Sequence, residues 1–182
     1  MVKLTTDEIK WLKDKYPTLN YCILDSSIRG VFPICLKYGK TVIQDSFKIF
    51  IDLQNSERNT YPKVYSDDPK FRMLRLRSNL PREDVHINQD GTLCLGLPEK
   101  FLNYHPNGLT IMSLVNNLNS FFYWIAYYYR YQEAPWKCEP HGYEGRILYC
   151  LQNGPINDYK ALLKLYRLTK ISSWRAILNF DL

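Results

Sequence analysis

Val42-Ile43-Gln44-Asp45-Ser46-Phe47-Lys48-Ile49-Phe50-Ile51-Asp52-Leu53 is the stretch that settles the fold class. Phe47, Ile49, Ile51 and Leu53 alternate with Lys48, Phe50, Asp52 and Gln54. A period of two belongs to a strand with one face on a core. Gly39-Lys40 supplies a turn just upstream, and Val31 to Tyr38 reads as the strand before it. Tyr21 to Leu24 is a third apolar stretch, broken by Asp25-Ser26-Ser27 before Arg29-Gly30. Connections this short predict an antiparallel meander. Asn55 to Thr60 is a polar loop, Tyr61-Pro62 opens a further extended segment, and Arg72 to Arg77 is expected to form the fourth strand.

Helical patterns flank these strands. Thr6 is the expected N-cap of a short helix, with Asp7 and Glu8 in the first turn, where the helix dipole favours negative charge. Ile9, Leu12 and Tyr16 share one face of it, and Pro17 closes it. Downstream, Asn107 or Thr110 is expected to cap a long helix reaching about Tyr131, with Leu114, Leu118, Phe121, Phe122 and Ile125 as its core stripe. Residues 135 to 145 are irregular. A short helix over about Arg146 to Leu151 follows, stopped by Gly154-Pro155, and an amphipathic helix runs from Asn157 to about Thr169. Helix, antiparallel strands, a long loop, then helices is an α+β layout.

Bulk properties set limits. A length of 182 residues suits one main domain. The net charge of +6 is spread along the chain without a polybasic arm, so a solvated basic surface explains it better than nucleic acid does. Nucleic-acid binding would rest on that charge and on the basic run Lys70, Arg72, Arg75, Arg77 and Arg82, which a strand with a solvated basic face explains as well. The opening residues turn acidic before any apolar region begins, which argues against a signal peptide. The greasiest run, Phe121 to Tyr129, is half the length a membrane helix needs. Five cysteines, at 22, 35, 94, 138 and 150, form no paired spacing and point to free thiols in a reducing, cytoplasmic setting. Neither a membrane nor a cofactor is expected.

Between Pro81 and Pro106 no period survives, and an ordered loop that long in a compact domain is usually functional. Its core is His86-Ile87-Asn88-Gln89-Asp90-Gly91-Thr92-Leu93-Cys94-Leu95-Gly96. Asp90-Gly91 is a strong turn former that can fold His86 and Asn88 back toward the sulfur. A nucleophilic cysteine needs thiolate, and attack on a carbonyl needs a donor for the oxyanion; histidine and asparagine suit both tasks. The competing interpretation is inert packing, for which Leu93, Leu95 and Leu97 provide apolar surroundings.

This run resembles the active-site signature of the ubiquitin-conjugating enzymes, in which His-Pro-Asn precedes a short turn ending in Gly, two residues and Cys-Leu. Gly91, Cys94 and Leu95 match in spacing, and Tyr61-Pro62 resembles the family's upstream Tyr-Pro pair. The resemblance covers roughly residues 5 to 151. His86 stands where the family has its catalytic asparagine, and no proline precedes it. The His-x3-Asp-Gly-x2-Cys form is similar to bacterial members found in operons with ubiquitin-like systems and in cyclic-oligonucleotide-based anti-phage signalling (CBASS). Trp136, Glu139 and His141-Gly142 resemble the second histidine region of those proteins.

The resemblance implies a ubiquitin-conjugating fold over residues 1–154 and a helical extension over 155–182. It implies that Cys94 carries, as a thioester, the C-terminus of a ubiquitin-like protein or of a cGAS-like nucleotidyltransferase. An activating enzyme would deliver that tail, and an amine would receive it. A modest depression of the thiol from its usual pKa of about 8.5 would suffice for loading. His86 is the expected oxyanion donor or loop-positioning residue, and His141 is expected to deprotonate the amine or buttress the site. Asp90 and Asn88 are supporting candidates, Asp90 chiefly as a turn residue, and His105 is read as loop structure.

Rival readings use the same residues. Cys138, His141 and Cys150, with Cys94 or His86, have the chemistry of a zinc site but lack a Cys-x2-Cys pair. A hydrolase would pair Cys94 with His141 and yield its acyl group to water. A non-catalytic scaffold would keep Cys94 without using it. In the extension, Ile156, Tyr159, Leu162, Leu163 and Tyr166 form a stripe that either packs on its own domain or docks a partner.

Overall fold

The computed structural model describes residues 1–58, 60–77, 85–88, 90–97, 100–101, 104–136 and 149. Residues 1–137 form one compact unit and residues 138–182 another, of which Tyr149 alone is described. The first unit is α+β. Helix α1 (Thr6–Lys15) precedes strands β1 (Leu19–Cys22), β2 (Ser27–Tyr38), β3 (Thr41–Asp52) and β4 (Lys63–Ser66), followed by helices α2 (Pro69–Arg77) and α3 (Ile111–Tyr131). The strands form one antiparallel sheet in the order β1-β2-β3-β4.

The expected alternation holds along β3, where Ile43, Phe47, Ile49 and Ile51 are buried. Cross-strand pairing brings Phe32 opposite Phe47 and Ile28 opposite Ile51, so the buried faces of β2 and β3 coincide. Against this face lies α3, which also contacts α1 and α2. From Phe121 to Ala126 every residue of α3 is buried, which an amphipathic surface helix would not show. This run is the centre of the core. Phe122 stacks on Phe47 at 4.4 Å and meets Phe32 at 5.4 Å.

Two expectations are corrected. Arg72 to Arg77 is not a strand but the body of α2, and the fourth strand is Lys63–Ser66, within the segment opened by Tyr61-Pro62. Phe71 and Leu74 are both buried and lie one helical turn apart, so helical spacing seats both against the core. In the same helix Lys70 pairs with Asp45 at 3.0 Å and Asp68 at 3.4 Å and lies over the Phe47 ring, so this cation fastens α2 to β3. The N-cap of α1 is Thr5, not Thr6: its hydroxyl accepts from the Glu8 N–H, and Glu8 reaches back to the Thr5 N–H in a capping box. Of the two caps considered for α3, Thr110 is the one used, and the helix ends at Tyr131 as expected.

Candidate functional site

Inside the loop predicted to be irregular, residues 85–88 and 90–97 form a small two-stranded turn. Ile87 pairs with Leu93, the Asn88 N–H donates to the Thr92 carbonyl at 2.8 Å, and the Cys94 N–H donates to the His86 carbonyl at 2.8 Å. Gly91 takes φ +85°, the left-handed value that made Asp90-Gly91 a turn signal. The Asp90 carboxylate accepts from the Thr92 N–H at 3.1 Å and its hydroxyl at 2.7 Å, with Lys63 at 3.9 Å from the other oxygen. These bonds hold the Asp90 carboxyl below the usual carboxylate range. The Leu93 N–H then donates to the Val64 carbonyl at 2.7 Å, which ties the turn to β4. Val85, Ile87 and Leu93 are buried beneath it, and Cys94 is left half-buried above.

The turn therefore brings His86 and Cys94 to opposite positions of one short ladder. His86 has φ +56°, unusual for a side-chain-bearing residue. Its imidazole lies edge-on to Trp124 at 4.7 Å and Phe121 at 5.9 Å, so α3 fixes the ring. Asn88 directs its amide to the Thr92 hydroxyl at 2.8 Å, a bond that belongs to the turn. Asn88 and Asp90 thus shape the loop that presents the sulfur. His141, Cys138 and Cys150 lie outside the described residues, as do Arg82 and the C-terminal stripe.

The thiol itself departs from expectation. Burial pushes the Cys94 thiol above its ordinary pKa, and a hydrogen bond from the Gly96 N–H only partly opposes this. No depression prepares the resting nucleophile. Exposed Cys35 should therefore be alkylated by iodoacetamide well before Cys94 at pH 7.5. Cys94 labelling should keep rising with pH beyond the range where an ordinary exposed thiol levels off. Peptide-resolved mass spectrometry across a pH series would measure both; faster labelling of Cys94 at neutral pH would contradict this picture.

Around Gly96 the structure gathers side chains that sequence reasoning did not assign to the site. Gly96 has φ +153°, and a Cβ there would lie 3.2 Å from the Tyr61 hydroxyl and 3.4 Å from its ring. The phenol thus lies close over the glycine whose N–H bonds the sulfur. Tyr61 meets Phe101 edge-on at 4.9 Å and His105 at 5.9 Å. Burial foremost, then the neighbouring Tyr104 and Cys94, push the Tyr61 hydroxyl pKa up, against a hydrogen bond with the Asn117 side chain. His105 lies in the loop as expected, but it is buried, its pKa is lowered by that burial, and its Nε2 lies 3.3 Å from the Asn117 amide nitrogen. A neutral ring casts that Nε2 as an acceptor for the amide. Asn117 was legible in principle, since it sits between Leu114 and Phe121 at a position of the core stripe where an apolar residue is the rule.

Among the described residues no group of three metal-binding side chains occurs, and no helix is long and apolar enough to cross a membrane. Comparisons of the chain with protein-family models, with curated proteins and with solved structures return no match.

Proposed function

We propose that the chain is a cysteine-dependent acyl transferase of the ubiquitin-conjugating type, with residues 1–154 in the corresponding fold. Cys94 carries the C-terminus of a ubiquitin-like protein or of a cGAS-like nucleotidyltransferase, and passes it to an amine. The setting is cytoplasmic and bacterial, in anti-phage defence, with an activating enzyme as loading partner. The observation that carries this reading is the presentation of Cys94. A tight Asp90-Gly91 turn tied to β4 holds the sulfur half-exposed opposite His86, at the spacing that resembles the family's signature.

A thiol with a higher pKa is a poorer leaving group, so an acyl group on Cys94 is given up more slowly to water and to amines alike. Loading begins with thiolate attack on an incoming thioester, which expels the activating enzyme's thiolate. In the second step an amine adds to the carbonyl carbon, and collapse of that adduct expels the Cys94 thiolate. A proton lost by the nitrogen balances the one regained by sulfur, leaving an amide and a free thiol. His86 positions the loop against Trp124 and Phe121 in this scheme.

Co-expression with the products of neighbouring genes tests the reading. A thiol-reducible adduct is expected on the wild type and none on Cys94→Ala, while Cys94→Ser should hold the partner as a reduction-resistant ester. Absence of an adduct with every neighbour would overturn it, as would release of the acyl group to water at the same rate with or without amines.

A further inference from the structure

We propose that the Tyr61 hydroxyl donates the hydrogen bond that stabilises the carbonyl oxygen of an acyl group on Cys94 as that oxygen becomes an oxyanion. The proposal rests on the transferase reading and names a donor for its second step. His86, the donor expected from the sequence, has its imidazole lodged edge-on against two rings of α3.

The geometry around Gly96 carries the argument. Gly96 follows Cys94 by two residues, and its Cα faces the Tyr61 hydroxyl closely enough that a Cβ would sit 3.2 Å from the oxygen. The phenol thus lies against the residue two positions beyond Cys94, on whose sulfur the carbonyl of a thioester forms. Phe101 and His105 meet the ring edge-on, so it is held in place before any acyl group arrives. Such preorganisation is what makes a donor effective.

The Asn117 amide nitrogen lies 3.3 Å from Nε2 of neutral His105, and the Asn117 side chain opposes the rise that burial gives the Tyr61 hydroxyl pKa. A neutral phenol has its own O–H to offer. Burial and the neighbouring groups keep that hydroxyl protonated beyond the ordinary tyrosine range. Tyr61 gives up no proton in the step. The amine's electron pair forms the new C–N bond, the carbonyl π pair moves to the oxygen that Tyr61 caps, and its return breaks the C–S bond.

The test uses the full chain and a small probe, the thiophenyl thioester of acetylglycine. Intact mass follows transfer of the acetylglycyl group to Cys94, and its discharge after free lysine is added. Removing one oxyanion donor lowers such steps by about 10²–10³-fold. Tyr61→Phe keeps the ring's packing and should slow discharge to lysine by about that factor. Alkylation of Cys94 by iodoacetamide develops no oxyanion and should be unchanged in the variant. Normal discharge from Tyr61→Phe would overturn the assignment while leaving the transferase standing. Equal slowing of alkylation and discharge would also overturn it, because Tyr61 would then act on the thiol or the loop. Failure of the wild type to accept the probe on Cys94 would remove both readings together.

Discussion

Phe122→Ala should lower the unfolding free energy of the chain by about 3–5 kcal/mol, the range for truncating a buried phenylalanine. Phe122 is fully buried and sits where three elements converge. It stacks on Phe47 of β3 at 4.4 Å, meets Phe32 of β2 at 5.4 Å, and lies edge-on to Phe71 of α2 at 6.3 Å. Aromatic pairs add about 0.5–1.5 kcal/mol beyond burial, and their rigid rings leave a cavity that neighbours cannot easily fill. Urea titration at pH 7 would measure the loss as a lower midpoint with an unchanged slope. A loss under about 1 kcal/mol would mean that α3 does not seat on the sheet as described. The variant should also loosen the site, since adjacent Phe121 and nearby Trp124 hold the His86 ring. Phe122→Leu retains most of the volume and should cost much less.

The reach of sequence reasoning follows physical lines. β2, β3 and α3 were legible because each carries a long period that burial enforces, and the turn at Asp90-Gly91 because glycine chemistry is local. Arg72 to Arg77 misled because Met73, Leu74 and Leu76 fall among basic residues in a pattern close to alternation. Its helical state depends on where Phe71 and Leu74 land against α3, and on a lysine that finds Asp45 on another element. The site divides in the same way. Cys94 and its turn could be read along the chain, whereas the Tyr61, Asn117 and His105 cluster draws on positions far apart in sequence. The thiol's raised pKa is likewise a property of burial, which a signature read along the chain does not contain. Glu8 is an intermediate case: its place in the first turn of α1 was plain, but its most distant partner lies 103 residues away.

That partner makes Glu8 the second large expectation. The carboxylate is buried, and its two oxygens accept from the Thr5 N–H at 2.9 Å, the Ile111 N–H at 3.1 Å, and both terminal nitrogens of Arg58 at 3.3 and 3.0 Å. Burial alone would raise its pKa; the Arg58 hydrogen bonds, the two backbone donors and the Arg58 charge together outweigh it and hold the group at about 2, against an ordinary 4.5. Arg58 also donates to the Leu109 and Lys3 carbonyls, so one ion pair joins the N-terminal segment to the start of α3. Because the folded pKa is depressed, the stabilisation is present above about pH 4.5 and is lost as pH falls toward 2. The shift corresponds to about 3 kcal/mol at 1.36 kcal/mol per unit, and partial exposure of Arg58 brings the expectation to about 2–3 kcal/mol. Glu8→Gln should be less stable than the wild type by that amount at pH 7. The difference between the two should shrink steadily below pH 4.5, since protonation leaves the wild type with a neutral group at the same place. Asp25, Asp52 and Asp90 also have lowered pKa values, so the comparison rests on the difference between variants and not on either acid curve. Urea midpoints at pH 7, 4 and 2.5 would show it. A difference that stayed constant across that range would mean that Glu8 stabilises by shape and packing and not as a charge. Glu8→Ala strands Arg58 and both backbone donors and should cost more than Glu8→Gln at pH 7. Because the Ile111 N–H opens the helix that bears Asn117, either variant should also slow Cys94 chemistry in proportion to how far the start of α3 frays.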